Sequence, residues 1–123
     1  MEKIKIFEAE MHLMNRIWDE GTMKAIDLAN WATENLGWKK NSTYSMLKKL
    51  LEKGALRRDE PGFVLTPLVT RSEIQDAELE ELSDRMFQGR KGGIIAALTR
   101  NRTLSQQQAE ALRALIESID EEA

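Results

Sequence analysis

The sequence predicts a mainly α-helical protein: three helices, a small β-hairpin, and then a separate helical segment. Three observations predict it. Phe7, Met11, Met14 and Trp18 recur at the spacing of one helix face, and similar stripes follow. Pro61-Gly62 sits between two short runs of extended character, the signature of a tight turn. From residue 70 onward the pattern becomes charged and glycine-interrupted, with apolar residues in narrow lines.

The elements follow in order. The stripe from Phe7 to Trp18 is the first helix, and Gly21 stops it. A second helix is expected from about Met23 to Asn35, with Ala25, Leu28 and Ala32 on one side and Gly37 as its end. The third starts at Asn41, read as its N-cap because the side-chain oxygen can accept from free amides of the first turn. Tyr44, Leu47, Leu50 and Leu51 form its buried stripe, and Ser42, Ser45, Lys48, Lys49 and Glu52 face the other way. Gly54 ends it, with Lys53 near the negative end of the helix dipole. Ala55 to Arg58 and Phe63 to Pro67 are the hairpin strands, joined through Asp59-Glu60-Pro61-Gly62. Three helices and a hairpin wing make a winged helix-turn-helix, assigned to residues 1–69.

Residues 70–123 form a helical region. Thr70 to about Gln88 is a charged helix with Leu79, Leu82 and Met86 in line. Gly89 and Gly92-Gly93 are read as breaks, and Ile94, Ile95, Ala96, Ala97 and Leu98 as a short apolar helix. Thr99 to Arg102 is a polar connection, and Ser105 to Gln108 has capping-box spacing. The last helix aligns Leu112, Leu115, Ile116 and Ile119. So short a segment cannot bury a core of its own. Its apolar lines need a second surface, and an identical copy is the simplest source, because two-fold homodimers dominate among soluble oligomers. The alternative is a monomer whose helices fold back on the winged helix.

Composition narrows the function. The 123 residues contain no apolar run of about eighteen, so no membrane-spanning helix is expected. The start, Met1 to Lys5, lacks the apolar stretch of a signal peptide, and a cytoplasmic protein is expected. Cysteine is absent, which removes disulfides, thiolate metal sites and thiol nucleophiles. The one histidine, His12, reads as a surface residue and excludes a multi-histidine site within one chain. No nucleophile–base pair or phosphate-cradling glycine loop is recognisable, and Glu78, Glu80 and Glu81 read as the wet face of a helix. Neither an enzyme nor a cofactor is expected.

Charge is the positive signal. The formal net charge is −3, but it is unevenly spread. Residues 1–37 carry a net −3 and residues 59–123 a net −6, whereas residues 38–58 carry seven basic side chains against one acid, a net +6. Those seven are Lys39, Lys40, Lys48, Lys49, Lys53, Arg57 and Arg58. One basic patch on an acidic chain is an electrostatic footprint for phosphate; the alternative is a solvated helix face. In helix-turn-helix proteins the second helix of the motif enters the major groove and touches bases with its N-terminal residues. Asn41, Ser42 and Ser45 are therefore the base-reading candidates, since amide and hydroxyl groups can pair with base edges. For Asn41 the competing role is the cap itself. Lys39, Lys40, Lys48 and Lys49 are candidates for phosphate, and Arg57 and Arg58 lead into the wing towards the flanking backbone. Trp18, Trp31 and Trp38 could stack on bases, but core packing is the better reading. Met11, Met14 and Met23 read as core rather than an effector pocket. A winged-helix docking module without specific DNA binding is the alternative function.

The chain resembles the penicillinase-repressor family, the BlaI/MecI/CopY group of bacterial repressors. The resemblance rests on Glu8 to Met14, Ile17-Trp18, Trp38, Ser42 to Leu47, Leu50, Lys53 to Leu56, Thr66-Pro67 and Phe87-Gln88-Gly89. It implies a homodimeric repressor on a palindromic operator in double-stranded DNA. Such repressors govern β-lactamase, resistance or copper-transport genes. The helix from Asn41 to Lys53 would read DNA, and residues from Thr70 would dimerise through Leu79, Leu82, Met86, Ile94, Ile95, Leu98, Leu112, Leu115, Ile116 and Ile119. Release would need an inducer or a regulatory protease. The chain departs from the family at four points. Lys39-Lys40-Asn41-Ser42 stands where members often have Ser-Pro-Lys-Thr. Phe7 replaces a capping Ser or Thr. The Cys-x-Cys copper motifs are missing, so thiolate copper sensing is excluded. Ala97-Leu98 stands where the cleaved Asn-Phe bond would fall.

Overall fold

The computed structural model describes residues 4–100, 105–111, 113 and 114. Its elements are α1 (Glu8–Glu20), β1 (Met23–Lys24), α2 (Ala25–Leu36), α3 (Lys40–Glu52), β2 (Leu56–Asp59), β3 (Val64–Pro67), α4 (Arg71–Met86) and α5 (Lys91–Thr99). Residues 106–111, 113 and 114 are also helical. The chain forms two compact units, Met1–Asp76 and Ala77–Ala123.

The first unit is a winged helix-turn-helix. Leu13, Met14 and Ile17 of α1, Leu28 and Ala32 of α2, and Leu47 and Leu50 of α3 converge on one core, closed by Ala55, Leu56, Leu65 and Ile74. Each helix contributes residues three or four apart, which is the stripe that 3.6-residue periodicity requires. Gly37 ends α2 in the left-handed conformation, φ 70°, which costs glycine little, and the chain turns through Trp38 into α3. The three tryptophans pack as core margins: Trp18, Trp31 and Trp38 are half-buried against the core. Met14 is fully buried, and Met11 and Met23 are half-buried against the same core.

Four details differ from the sequence reading. Met23 and Lys24 open no helix. They form a third strand, giving the antiparallel order β1-β3-β2 with Met23 opposite Leu65 and Lys24 opposite Val64. Two residues are too few to show a period-two pattern, so β1 left no signal. Secondly, α3 begins one residue before Asn41, and its N-cap is Lys39. Asn41 therefore lies inside the first turn and is not the cap. Thirdly, Thr43 is fully buried on the inner face of α3 with Leu47 and Leu50, whereas Tyr44 and Leu51 are half-buried. Finally, Gly92 and Gly93 lie within α5 and do not break it. A Cβ at Gly93 would fall 2.8 Å from Phe87 Cδ1, so the glycine makes room for that ring. The break between α4 and α5 lies at Gly89, φ 77°, whose N–H donates to Ser83 O at 2.9 Å.

The start of α4 is anchored to the first unit. Thr70 and Glu73 form a reciprocal capping box, Thr70 N–H to Glu73 Oε1 at 3.2 Å and Glu73 N–H to Thr70 Oγ1 at 3.0 Å. Arg71 reaches back to α1, donating to Asp19 Oδ1 at 2.7 Å and Asn15 O at 3.1 Å. Trp18 Nε1 donates to Val69 O at 2.9 Å, and Ile74 is buried.

In the second unit no residue of α5 is buried, and Leu79, Met86 and Leu98 are 45%, 64% and 52% exposed. Leu82, Ile94 and Ile95 are half-buried. Ser105 and Gln108 form the expected capping box, with bonds of 3.0 and 3.1 Å. Leu112, Leu115, Ile116 and Ile119 lie outside the described residues.

Candidate nucleic-acid interface

The inner face of α3 is fixed by Thr43, Leu47 and Leu50, flanked by half-buried Tyr44 and Met46, which leaves the opposite side of the helix to solvent. Asn41, Ser42, Ser45, Lys48 and Lys49 are all exposed, as are Lys39 and Lys40 at its start. Asn41, Ser45 and Lys48 run at i, i+4 and i+7 along one line, and Ser42 and Lys49 run beside it. The base candidates and the four lysine candidates for phosphate therefore share one solvent-facing surface, while Arg57 and Arg58 lie on β2.

That surface is basic along most of its length, with Glu52 as the one acid of α3, at its C-terminal end. The first turn of α3 contains no acid, and its cap residue contributes no side-chain hydrogen bond. The helix dipole adds positive potential at this end, next to Lys39 and Lys40. Lys39, Lys40, Lys48 and Lys49 have no carboxylate partner among the described residues. Because Lys39 is the cap, the Asn41 amide is not engaged in capping and is available to a ligand.

The other three basic residues of the block are committed elsewhere. Lys53 turns inward: Nζ donates to Glu10 Oε1 at 2.7 Å and to Lys5 O at 2.8 Å, and lies 4.7 Å from the centre of the Phe7 ring. Glu10 is 2% exposed and also accepts from Phe7 N–H at 2.9 Å. It thus completes the α1 start, since the Phe7 side chain offers no acceptor. Lys53 belongs to a part-buried ion pair joining the end of α3 to the buried Glu10 of α1, and its ammonium does not face outward with the other lysines. Charge counting could not separate it from its neighbours, although the three-residue step from Phe7 to Glu10 is a capping spacing. In the wing, Arg57 pairs with Asp59 at 3.1 Å and Arg58 with Glu60 at 2.5 Å. Both arginines are exposed.

Two further features were not legible beforehand. Lys24, at the end of β1, is exposed, and its Cε lies 3.7 Å from where a Gly62 Cβ would be, beside the wing turn. Tyr44 meets Phe63 at a ring-centre distance of 6.1 Å, which ties α3 to the wing. Phe63 holds a positive φ of 51°, uncommon for a non-glycine residue, and its carbonyl accepts from Ala25 N–H at 2.9 Å. His12 is exposed, and its ring meets that of Trp38 edge-on, at 6.2 Å between ring centres. Among the described residues no group of His, Asp or Glu could hold a metal ion, and no helix is long and apolar enough to cross a membrane.

Comparison with known proteins agrees with this architecture. A penicillinase repressor of Bacillus licheniformis is 25% identical over 120 residues, spanning 95% of this chain and 94% of that protein. An uncharacterised 16.5 kDa protein of Latilactobacillus sakei is also 25% identical, over 91% of this chain and 78% of its own length. The solution structure of the DNA-binding domain of the repressor BlaI superposes with a TM-score of 0.53 at 29% identity, covering 59% of this chain and 93% of that domain. The family model for the penicillinase repressor matches residues 6–118, and the chain belongs to that family.

Proposed function

We propose that this protein is a sequence-specific DNA-binding transcriptional repressor that acts as a homodimer on a palindromic operator. The observation that carries the reading is α3: a helix with an acid-free first turn whose exposed Lys40, Lys48 and Lys49, with Lys39 at its cap, have no carboxylate partner among the described residues, on a fold shared with a repressor's DNA-binding domain. In this reading α3 enters the major groove. Asn41, Ser42 and Ser45 meet base edges, and Lys39, Lys40, Lys48 and Lys49 neutralise phosphates and set the register. Residues 1–69 act as the reading head and 70–123 as the dimerisation region. The exposed Leu79, Met86 and Leu98 support that division, since exposed apolar side chains on a small helical unit gain from a second copy. The regulated genes would be of the antibiotic-resistance type suggested by the Bacillus licheniformis relative. Release would fall to an inducer or a protease; Ala97 and Leu98 lie within α5.

Titration of the full chain against its own upstream region, at several salt concentrations, tests the reading. A dimer meeting about 6–10 phosphates loses roughly 10³–10⁵ in affinity between about 50 and 200 mM salt. The double reversal K48E/K49E should abolish this binding while the thermal transition stays in place. Unchanged DNA binding by that variant would favour a docking module instead.

A further inference from the structure

The wing contains as many carboxylates as arginines, and they are paired. Arg57 Nε donates to both oxygens of Asp59, at 3.2 and 3.1 Å, and Arg58 Nε donates to Glu60 Oε1 at 2.5 Å. Each carboxylate is also held by the wing itself. Asp59 Oδ2 accepts from Thr66 Oγ1 at 3.3 Å, and Glu60 Oε2 accepts from Phe63 N–H at 3.2 Å. The acids therefore have tethers that do not depend on the arginines. The Arg58 guanidinium also lies 3.6 Å from the centre of the Phe63 ring. All four side chains are about half exposed, where ion pairs are weak and exchange readily. Among the described residues the lysines of α3 have no such carboxylates.

We propose that Asp59 and Glu60 set the affinity of the DNA interface by occupying the wing arginines in place of backbone phosphate. The inference rests on the DNA-binding reading above. A phosphate meeting the wing must displace a tethered carboxylate, so the wing gains little from a duplex that merely drifts past. A duplex already seated on α3 holds a phosphate beside the wing long enough to win the exchange. Such a wing lowers non-specific affinity more than specific affinity, and the ratio of the two is what a repressor needs. Glu60 is suited to the role because the Arg58 hydrogen bond, and then the Phe63 N–H, favour its charged form and hold its carboxyl below the usual range.

The variant D59N/E60Q tests this in the full chain. Asn and Gln keep an oxygen for Thr66 and for Phe63 N–H, so the wing retains its shape, which its melting midpoint checks. Binding is read by anisotropy on a mixed-sequence duplex about three helical turns long. We expect about three- to tenfold tighter binding and a log–log salt slope steeper by about 0.9 for each arginine that gains a phosphate. As a second arm, R57Q/R58Q should weaken wild-type binding far less than K48Q/K49Q does, because those arginines are already neutralised. Unchanged or weaker binding by D59N/E60Q, or an equal gain from D84N/E110Q, which alters net charge identically on the second unit, overturns the proposal. If the wild type binds this duplex and the wing variants do not respond, only this inference fails. If the wild type binds no duplex, the DNA-binding reading fails with it.

Discussion

Replacing Lys53 with methionine separates two roles that its charge alone confounds. In the structure its ammonium group is 2.7 Å from a buried Glu10 carboxylate. At that distance the gross attraction is about 6 kcal/mol for an effective dielectric of about 20, most of it offset by desolvation of the two ions. Removing one partner leaves a carboxylate in the core margin with only the Phe7 N–H, and such orphaned charges typically cost about 3–5 kcal/mol. For a unit of this size that is a fall in melting midpoint of roughly 12 °C or more. The double variant E10Q/K53M should recover most of the loss, since glutamine can still accept from Phe7 N–H and no charge remains buried. Urea unfolding followed by circular dichroism gives both values and the coupling between the sites. Below its melting temperature K53M should bind DNA with an unchanged salt slope. A cost under about 1 kcal/mol, or a double variant no better than K53M, would refute the buried-pair reasoning. A slope reduced by about 1 would place Lys53 on phosphate after all.

Three other predictions follow from the same geometry. Asn41→Ala should cost about 1–3 kcal/mol on the cognate operator and little on arbitrary duplex, compared by competitive titration; an equal loss on both would make Asn41 a backbone contact. L79E/L98E should shift the protein from dimer to monomer in sedimentation velocity while helicity is kept, because both side chains are exposed in the single chain. Arg58→Ala should raise the Glu60 carboxyl back towards the ordinary glutamate range, followed by side-chain carbonyl NMR. The sign is set by the depression: in the wild type the Arg58 hydrogen bond lowers the folded-state value, so the stabilisation is present above the ordinary glutamate range and is lost as pH falls through the lowered value.

Helices were legible in the sequence where a long apolar stripe ran up to a glycine. Phe7 to Trp18 before Gly21 gave α1 nearly to the residue, and Ala25 to Ala32 before Gly37 gave the end of α2 to within a residue but set its start two residues early. Starts were harder. Asn41 has the better capping chemistry, yet Lys39 takes the position because the Gly37-Trp38 turn and the burial of Thr43, Leu47 and Leu50 fix the phase of α3. Gly93 shows the converse: its flexibility suggests a break, but its missing side chain serves the Phe87 ring. The solvent-facing candidates of α3 followed from phase alone. The inward turn of Lys53 and the pairing of Arg57 and Arg58 did not, because each depends on a tertiary or cross-turn carboxylate that charge counting does not place.

The capping box and the Arg71 clasp at the head of α4 also bear on how the second unit comes to be helical. The first turn of a helix is the costly step, since several dihedrals are fixed for a single hydrogen bond. Here that turn is made within the first unit, on Ile74 and under Arg71, before the chain reaches Ala77. The first turn of α4 is thus already held by the winged helix. A fragment cut at residue 69 would lose both the seed and the Ile74 that closes the core, whereas one ending after Asp76 would keep them.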